Sequence, residues 1–420
     1  MRDFFKLINL RLIAIATLTF LLGWQLGHRD IEVKWANYKP IFSVTNRELP
    51  KNVNLDFKLF WDTWDLISRT YIDKKALDPQ KMFYGAISGM VSAIGDPYTV
   101  FLPPQQQKST KEELGGSFEG VGIQLGFNEA TASADGLGGK RLLVIAPLDG
   151  TPAKKAGIKP QDMIVKIDEK DTFGMSLPEA VNLIRGPKGT QVGLTIFREG
   201  DSDTRNFILT RETIIVKSVE VSFKQSKAGK HVAVIKLSRF GERTEEEWKQ
   251  AVDQIVAKNP AALILDLRNN PGGYLEGAVF AASEFLEGGD VVLQENNTGQ
   301  RVAFKVNRAG RLTKIPMEAL INKGSASASE IVAGALQDRK RAKLIGEKSF
   351  GKGTIQEAQD LANNTGIHIT VAKWLTPSGR WVNDTKGFDP DIKVEAPRPE
   401  AEEKEEDSDP QLDKALELLE

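Results

Sequence analysis

The sequence predicts a multidomain α/β protein preceded by one membrane-anchoring helix, and three observations carry that prediction. Two near-continuous apolar runs, Val232–Leu237 and Ala262–Leu267, flank an amphipathic stretch at Thr244–Lys258. That is the pattern of two buried parallel strands joined by a crossover helix. Residues 112–210 change texture, to short apolar strands separated by many glycines. An uncharged apolar run, Leu12–Gly27, follows Arg2, Lys6 and Arg11. At roughly 100–200 residues per domain, a chain of 420 residues has room for several cores.

The elements follow in chain order. Residues 1–10 read as a cytoplasmic N-terminus and 11–28 as a transmembrane anchor. No small-x-small cleavage site follows the run, Arg11 can snorkel, and Trp24 suits an interface. The basic residues ahead of the run put the bulk of the chain on the far side of the membrane. Residues 29–54 read as a linker. Within 55–111, Leu55, Leu59, Trp61, Leu66 and Ile67 share one helical face, a second helix covers 79–93, and Asp96-Pro97-Tyr98 is a turn. This region reads as a helical cap or dimerisation region. Residues 112–210 form a compact module with strands at Leu142–Ala146, Met163–Asp168 and Val192–Phe197 and helices at Thr151–Gly157 and Leu177–Arg185. Residues 211–396 add helices at Leu275–Phe285 and Ser329–Arg339 and strands at Val291–Gln294, Ala319–Asn322 and Ile367–Lys373. Residues 397–420 read as a disordered acidic tail with a short terminal docking helix.

Composition then restricts the chemistry. There is no cysteine, which removes thiol nucleophiles, disulfides and thiolate metal sites. The three histidines, His28, His231 and His368, make no HExxH or other zinc cluster. None falls in the serine or lysine segments described next, so an enzyme built here needs another group to move a proton. No cofactor or metal is expected. The net charge of −1 argues against nucleic acid as a partner.

Three segments of the large unit stand out. In Leu265-Asp-Leu-Arg-Asn-Asn-Pro-Gly-Gly273 an apolar strand runs into a glycine pair. Gly272 and Gly273 can present backbone N–H groups to an anion, and an ordinary strand-end turn is the plainer reading. Asn322-Lys-Gly-Ser-Ala-Ser-Ala-Ser-Glu330 opens a helix, where Ser327 and Glu330 fit a capping box and where an oxyanion would also be favoured. In Ser349-Phe-Gly-Lys-Gly-Thr-Ile-Gln356, Lys352 lies between glycines and is followed by Gln356. A surface lysine in a turn is the plain alternative. A lysine with a depressed pKa can serve a serine as base, and the histidine count leaves room for that chemistry.

These segments resemble the C-terminal processing peptidases, the tail-specific serine endopeptidase family. The likeness rests on DLRNNPGG at 266–273, GSASASEIVAGALQD at 324–338, SFGKGTIQ at 349–356, TPSGR at 376–380, DPDI at 389–392 and DPYTVFL at 96–102. The resemblance implies a PDZ module at 112–210, set between the helical cap and a ClpP/crotonase-like α/β catalytic core. It implies Ser327 as nucleophile, Lys352 as general base and Gln356 as the residue orienting it. Backbone groups of Gly272, Gly273 and Ala328 would form the oxyanion hole. Spacing alone does not choose Ser327 over Ser325 or Ser329. Gly120, Val121, Gly122 and Ile123 resemble the PDZ loop that binds a terminal carboxylate, with β-strand addition supplying affinity. Gln161 departs from the family, which often has glycine before Asp162. The implied protein is a single-pass enzyme of the bacterial cell membrane with an extracytoplasmic catalytic portion. Its implied partners are flexible C-terminal tails, the membrane, and a second copy or an adaptor. The alternative is a membrane-tethered peptide-binding scaffold with an inert hydrolase core.

Overall fold

The computed structural model describes residues 17–20, 31–36, 39–44, 56–128, 141–396 and 409–420. The chain divides into two units, Met1–Met82 and Phe83–Glu420. In the first, β1 (Ile31–Ala36) pairs antiparallel with β2 (Lys39–Val44), so the stretch read as a linker contains a two-stranded ribbon. Helix α1 (Lys58–Thr70) leaves Leu59, Trp61, Leu66 and Ile67 exposed along the predicted apolar face. Residues 17–20 are helical; the rest of the expected anchor and residues 1–10 lie outside the described residues.

The membrane expectation is corrected. No helix among the described residues is long and apolar enough to cross a membrane. The uncharged run between Arg11 and His28 is shorter than the roughly 20 residues a spanning helix needs. The anchor, the membrane as partner and the single-pass bacterial cell-membrane placement are withdrawn with it.

Helix α2 (Pro79–Ser92) precedes a short strand, β3 (Val100–Leu102), and helix α3 (Pro104–Gly115). Strand β4 (Ser117–Gly120) leads into the glycine-rich module. Its elements are β5 (Ile123–Asn128), β6 (Arg141–Pro147), α4 (Pro152–Lys155), β7 (Met163–Ile167), β8 (Lys170–Asp171), α5 (Leu177–Ile184), β9 (Gln191–Phe197) and β10 (Arg205–Thr210). They form a six-stranded sheet in the order β10-β9-β7-β6-β5, with β8 against β7. Alternation along β9 buries Val192, Leu194 and Ile196 against Val121, Val144 and Ile164. β11 (Glu212–Ile215) returns to pair with β4. Ser176 and Glu179 cap α5 reciprocally, which fixes where that helix starts. Gln161 has φ 68, a left-handed conformation that glycine adopts without strain. The glycine that the resemblance leads one to expect here would take up that backbone freely.

The large unit begins with β12 (Val219–Gln225), β13 (His231–Leu237), α6 (Thr244–Lys258) and β14 (Ala262–Asp266). It continues with α7 (Leu275–Ala282), β15 (Asp290–Glu295), β16 (Arg301–Lys305), β17 (Met317–Ile321) and α8 (Ala328–Asp338). β18 (Leu344–Gly346), β19 (Thr354–Asp360), β20 (Gly366–Leu375), β21 (Ile392–Lys393) and α9 (Pro410–Leu418) complete it. One six-stranded sheet runs β12-β13-β14-β17-β18-β21, parallel from β13 onward. β14 and β17 are buried along their whole length, in keeping with their largely apolar sequences; the exceptions are Asp266 at the end of β14 and Glu318 within β17. One face packs on Trp248, Ala278, Val332 and Leu336. The other face packs on Leu412, Ala415, Leu416 and Leu419 around α9. A second sheet, β16-β15-β20-β19, takes β3 onto β20. The large unit is therefore a mixed sheet plus a second antiparallel sheet that borrows a strand from upstream of the module. The ClpP/crotonase-like label expected for it is set aside.

Helix α9 is tied to the end of β14 through Arg268. Its guanidinium donates to Asp266 at 2.9 and 2.7 Å, to Asp409 at 2.8 and 2.7 Å, and to Gln411 Oε1 at 3.1 Å. Two forked ion pairs on one planar group are geometrically demanding, and lysine cannot make them. Arg268→Met strips the nearly buried Asp266 carboxylate of its counter-charge. A loss of about 3 kcal/mol is expected, read from the denaturation midpoint in urea.

Candidate active site

After β17 the chain turns through Asn322–Ser327 and enters α8. Ser325 Oγ donates to the Leu267 carbonyl at 2.8 Å, and Ser329 Oγ donates to the Asn270 and Ala326 carbonyls at 2.9 and 2.8 Å. Both are fully buried, and both hydroxyls knit this turn to the 266–273 segment. Ser327 is different. It has φ 56 and ψ −117, a combination that a side chain makes unfavourable, and it lines a cavity of about 500 Å³. The geometry separates three serines that spacing could not.

Ala328, Gly272, Gly273, Lys352, Gln356 and His368 line the same cavity. A Cβ at Gly272 would lie 2.8 Å from the Ala326 carbonyl oxygen and from Ser327 Cβ, and one at Gly273 would lie 2.0 Å from the Phe240 carbonyl oxygen. Both positions combine positive φ, 103 and 138, with no space for a side chain. The three expected oxyanion donors are not equivalent. The Gly272 N–H donates to Asn270 Oδ1 at 2.9 Å. Asn270 in turn donates to the Leu237 carbonyl at 2.8 Å. The Gly273 N–H flanks this fixed turn, and the Ala328 N–H is at the start of α8, where no intrahelical acceptor exists.

Glu330, read from the sequence only as a capping residue, proves to join the two key turns. It is fully buried. Its Oε2 accepts from the backbone N–H of Ser327 at 2.8 Å and of Lys352 at 2.9 Å. Its Oε1 accepts from Ser349 Oγ at 2.6 Å and from the Gly351 N–H at 2.7 Å. Burial pushes its carboxyl above the usual range, and these hydrogen bonds pull against that shift. The sequence signal was there, a Ser-x-x-Glu spacing, but it does not show that the carboxylate also reaches the lysine loop.

Burial lowers the Lys352 amine below its ordinary value, opposed by the charges of Asp96 and Glu330. No hydrogen bond joins the side chains of Lys352 and Ser327 among the described residues. Gln356 does not donate to Lys352; its amide donates to Thr354 Oγ1 at 2.9 Å and to Thr370 Oγ1 at 3.1 Å. His368, set aside in the sequence as remote from both segments, faces the cavity from β20. Burial and then the Lys352 charge hold its imidazole below the usual value.

The glycine-rich module places Gly120 at the end of β4, Val121 in its core and Ile123 at the start of β5. Gly122 has φ 76, and a Cβ there would lie 2.4 Å from the Thr151 side chain. The Val121 carbonyl accepts from the Ala153 N–H at 3.0 Å, and that of Gly122 from the Leu148 N–H at 2.9 Å. A second cavity of about 440 Å³ is lined by Phe118, Leu177, Val181 and Arg185, though not by the 120–123 loop itself. Arg185 stacks over Phe118 and pairs with Glu112 at 2.8 Å, a basic group the sequence did not single out.

Residues 231–394 match peptidase family S41, residues 143–198 match a PDZ domain, and residues 32–105 match the activating protease CtpB N-terminal domain. Carboxy-terminal processing protease CtpA of Bacillus subtilis is 38% identical over 335 residues, covering 80% of this chain and 68% of that protein. A carboxyl-terminal-processing protease of Synechocystis is 36% identical over 378 residues, covering 86% of each. The crystal structure of a putative S41 protease from Bacteroides fragilis shares the fold. Its TM-score is 0.54 at 13% identity, over 89% of this chain and 99% of that one.

Glu330→Ala leaves two backbone N–H groups of the lysine loop, that of Ser327 and the Ser349 hydroxyl without their acceptor. A loss of at least about 3 kcal/mol in unfolding free energy is expected. Glu330→Gln keeps the size but aims an N–H₂ at donors, so it should recover only part of that stability in the same urea titration.

Proposed function

Because the chain belongs to the C-terminal processing peptidase family and is a serine-type endopeptidase, we propose that it cleaves proteins engaged by their flexible C-terminal tails, with Ser327 and Lys352 as the catalytic pair. The observation that carries this reading is that both side chains line one cavity while one buried carboxylate, Glu330, holds both of their backbones. Neutral Lys352 takes the proton from Ser327 Oγ as that oxygen attacks the scissile carbonyl. The N–H groups of Gly273 and Ala328 receive the oxyanion, and Gly272 shapes the turn. Lys352 then gives its proton to the leaving amine, and water cleaves the acyl-enzyme. Gln356 fits an orienting role. Its N–H₂ is committed to two threonines, which leaves its carbonyl oxygen to accept from the lysine.

The domain assignment follows: 55–111 as cap, 112–210 as the PDZ module that selects the tail, and 211–396 as the peptidase. The 120–123 loop and the groove beside α5 would take the tail's terminal carboxylate and side chains.

Ser327→Ala and Lys352→Ala should each abolish cleavage of an unfolded protein with an apolar tail, followed by gel and mass spectrometry. Retained cleavage in either variant would sink the pair. For the wild type, kcat/KM should rise with pH through the titration of a lysine whose pKa burial has lowered. The midpoint should lie below that of an ordinary lysine. Gly122→Ala, whose Cβ collides with Thr151, should lower kcat/KM for tailed proteins severalfold and leave short untailed peptides unaffected.

A further inference from the structure

The Asp96–Thr99 turn lies outside the peptidase segment, yet it is built into the same site. Lys352 Nζ sits 4.8 Å from the centroid of the Tyr98 ring. Among the described residues, that ring is the partner the ammonium has in place of a hydrogen bond or ion pair. The turn is held rigidly. Asp96 accepts from the Tyr98 N–H at 3.1 Å and from Thr99 Oγ1 at 2.7 Å. Thr99 Oγ1 accepts from the Thr370 N–H at 3.0 Å, and Thr370 Oγ1 accepts from Gln356. β3, which follows the turn, pairs Val100 with His368 on β20. The ring is therefore positioned by the strand that also carries the cavity-lining histidine and the partner of Gln356.

We propose that Tyr98 is a positioning residue of the active site, whose ring face seats the protonated Lys352 amine and sets how readily that amine gives up its proton. The inference rests on the reading of Lys352 as general base. The electrostatic argument is direct. An aromatic face attracts the ammonium and is indifferent to the neutral amine, so it favours the charged form. The other groups facing this amine are Asp96 and Glu330, which also favour the cation, and His368, which disfavours it when charged. Burial works against the cation, and the ring limits how far burial can go. A base too weakly basic would not take the serine proton, and one too basic would stay charged. The seat keeps the lysine between these limits.

The test is a titration of the full chain labelled with [¹³Cε]lysine, with the Lys352 signal assigned by its loss in Lys352→Arg. Tyr98→Phe keeps the ring and should titrate as wild type. Tyr98→Leu should lower the midpoint by about half to one pH unit, and the acid limb of kcat/KM should move down with it while KM stays constant. Tyr98→Trp presents a stronger face and should move the midpoint up. It keeps the test open should the leucine variant not fold. An unchanged midpoint in both the leucine and tryptophan variants would overturn the proposal. So would a phenylalanine variant that shifts as far as leucine, since the hydroxyl rather than the face would then be responsible. The titration reads the seat without turnover. Retained activity in Lys352→Ala would remove the general-base reading and leave the ring's effect on the amine still measured.

Discussion

The Glu330 carboxylate accepts hydrogen bonds from the backbone of Ser327 on one side and from the backbone of Gly351 and Lys352 on the other. An unpaired carboxylate in that interior would cost several kcal/mol, so it is tolerated only because its hydrogen bonds are all made. Satisfying it requires that the turn after β17 and the loop before β19 be brought together. The strained backbone of Ser327, the packing of Gly272 against it and the placement of Lys352 in one cavity all presuppose that closure. The site thus relies on a carboxylate whose hydrogen bonds go to the backbones of Ser327 and Lys352 and to neither of their side chains.

Much of this was legible in the sequence, because its signals are local. Buried parallel strands read as unbroken apolar runs, and β13, α6 and β14 lie where those runs and the acidic first turn of the helix place them. The Gly-Gly turn and the Ser-x-x-Glu start of α8 are likewise short-range patterns. What the sequence hides is non-local. β19 carries polar side chains at alternating and non-alternating positions because it is an edge strand beside a cavity, so no periodicity announces it. The reach of Glu330 to Gly351, the seat of Lys352 on Tyr98 and the arrival of His368 from β20 depend on strand pairings hundreds of residues apart in one case. The membrane expectation failed for the opposite reason, since a local apolar run was asked to carry a length it does not have.

The two sheets divide the labour of the large unit. The mixed sheet is sealed on both faces, and it fixes the glycine turn and the start of α8 at the carboxyl ends of β14 and β17. The second sheet is more open and polar. It carries Lys352's loop, Gln356 and Thr370, together with a strand contributed from ahead of the PDZ module. The candidate nucleophile therefore belongs to the rigid body of the protein, and the groups that govern its proton belong to the layer that meets the upstream segment. The upstream segment thus meets the acid–base half of the site through β3 and the Tyr98 ring, and it also reaches the loop beside the glycine turn, where the Glu242 N–H donates to the Leu114 carbonyl at 2.9 Å.

Helix α9 adds a constraint of timing. The residues that clamp Arg268, Asp409 and Gln411, follow every candidate catalytic residue in the chain. During synthesis, serine, lysine and glycine turn all leave the ribosome before the helix that covers the sheet beneath them. An emerging chain therefore holds the complete set of reacting groups on a sheet with one apolar face still bare and Arg268 without its second carboxylate. Docking of α9 covers that face and supplies the second carboxylate of Arg268 last of all.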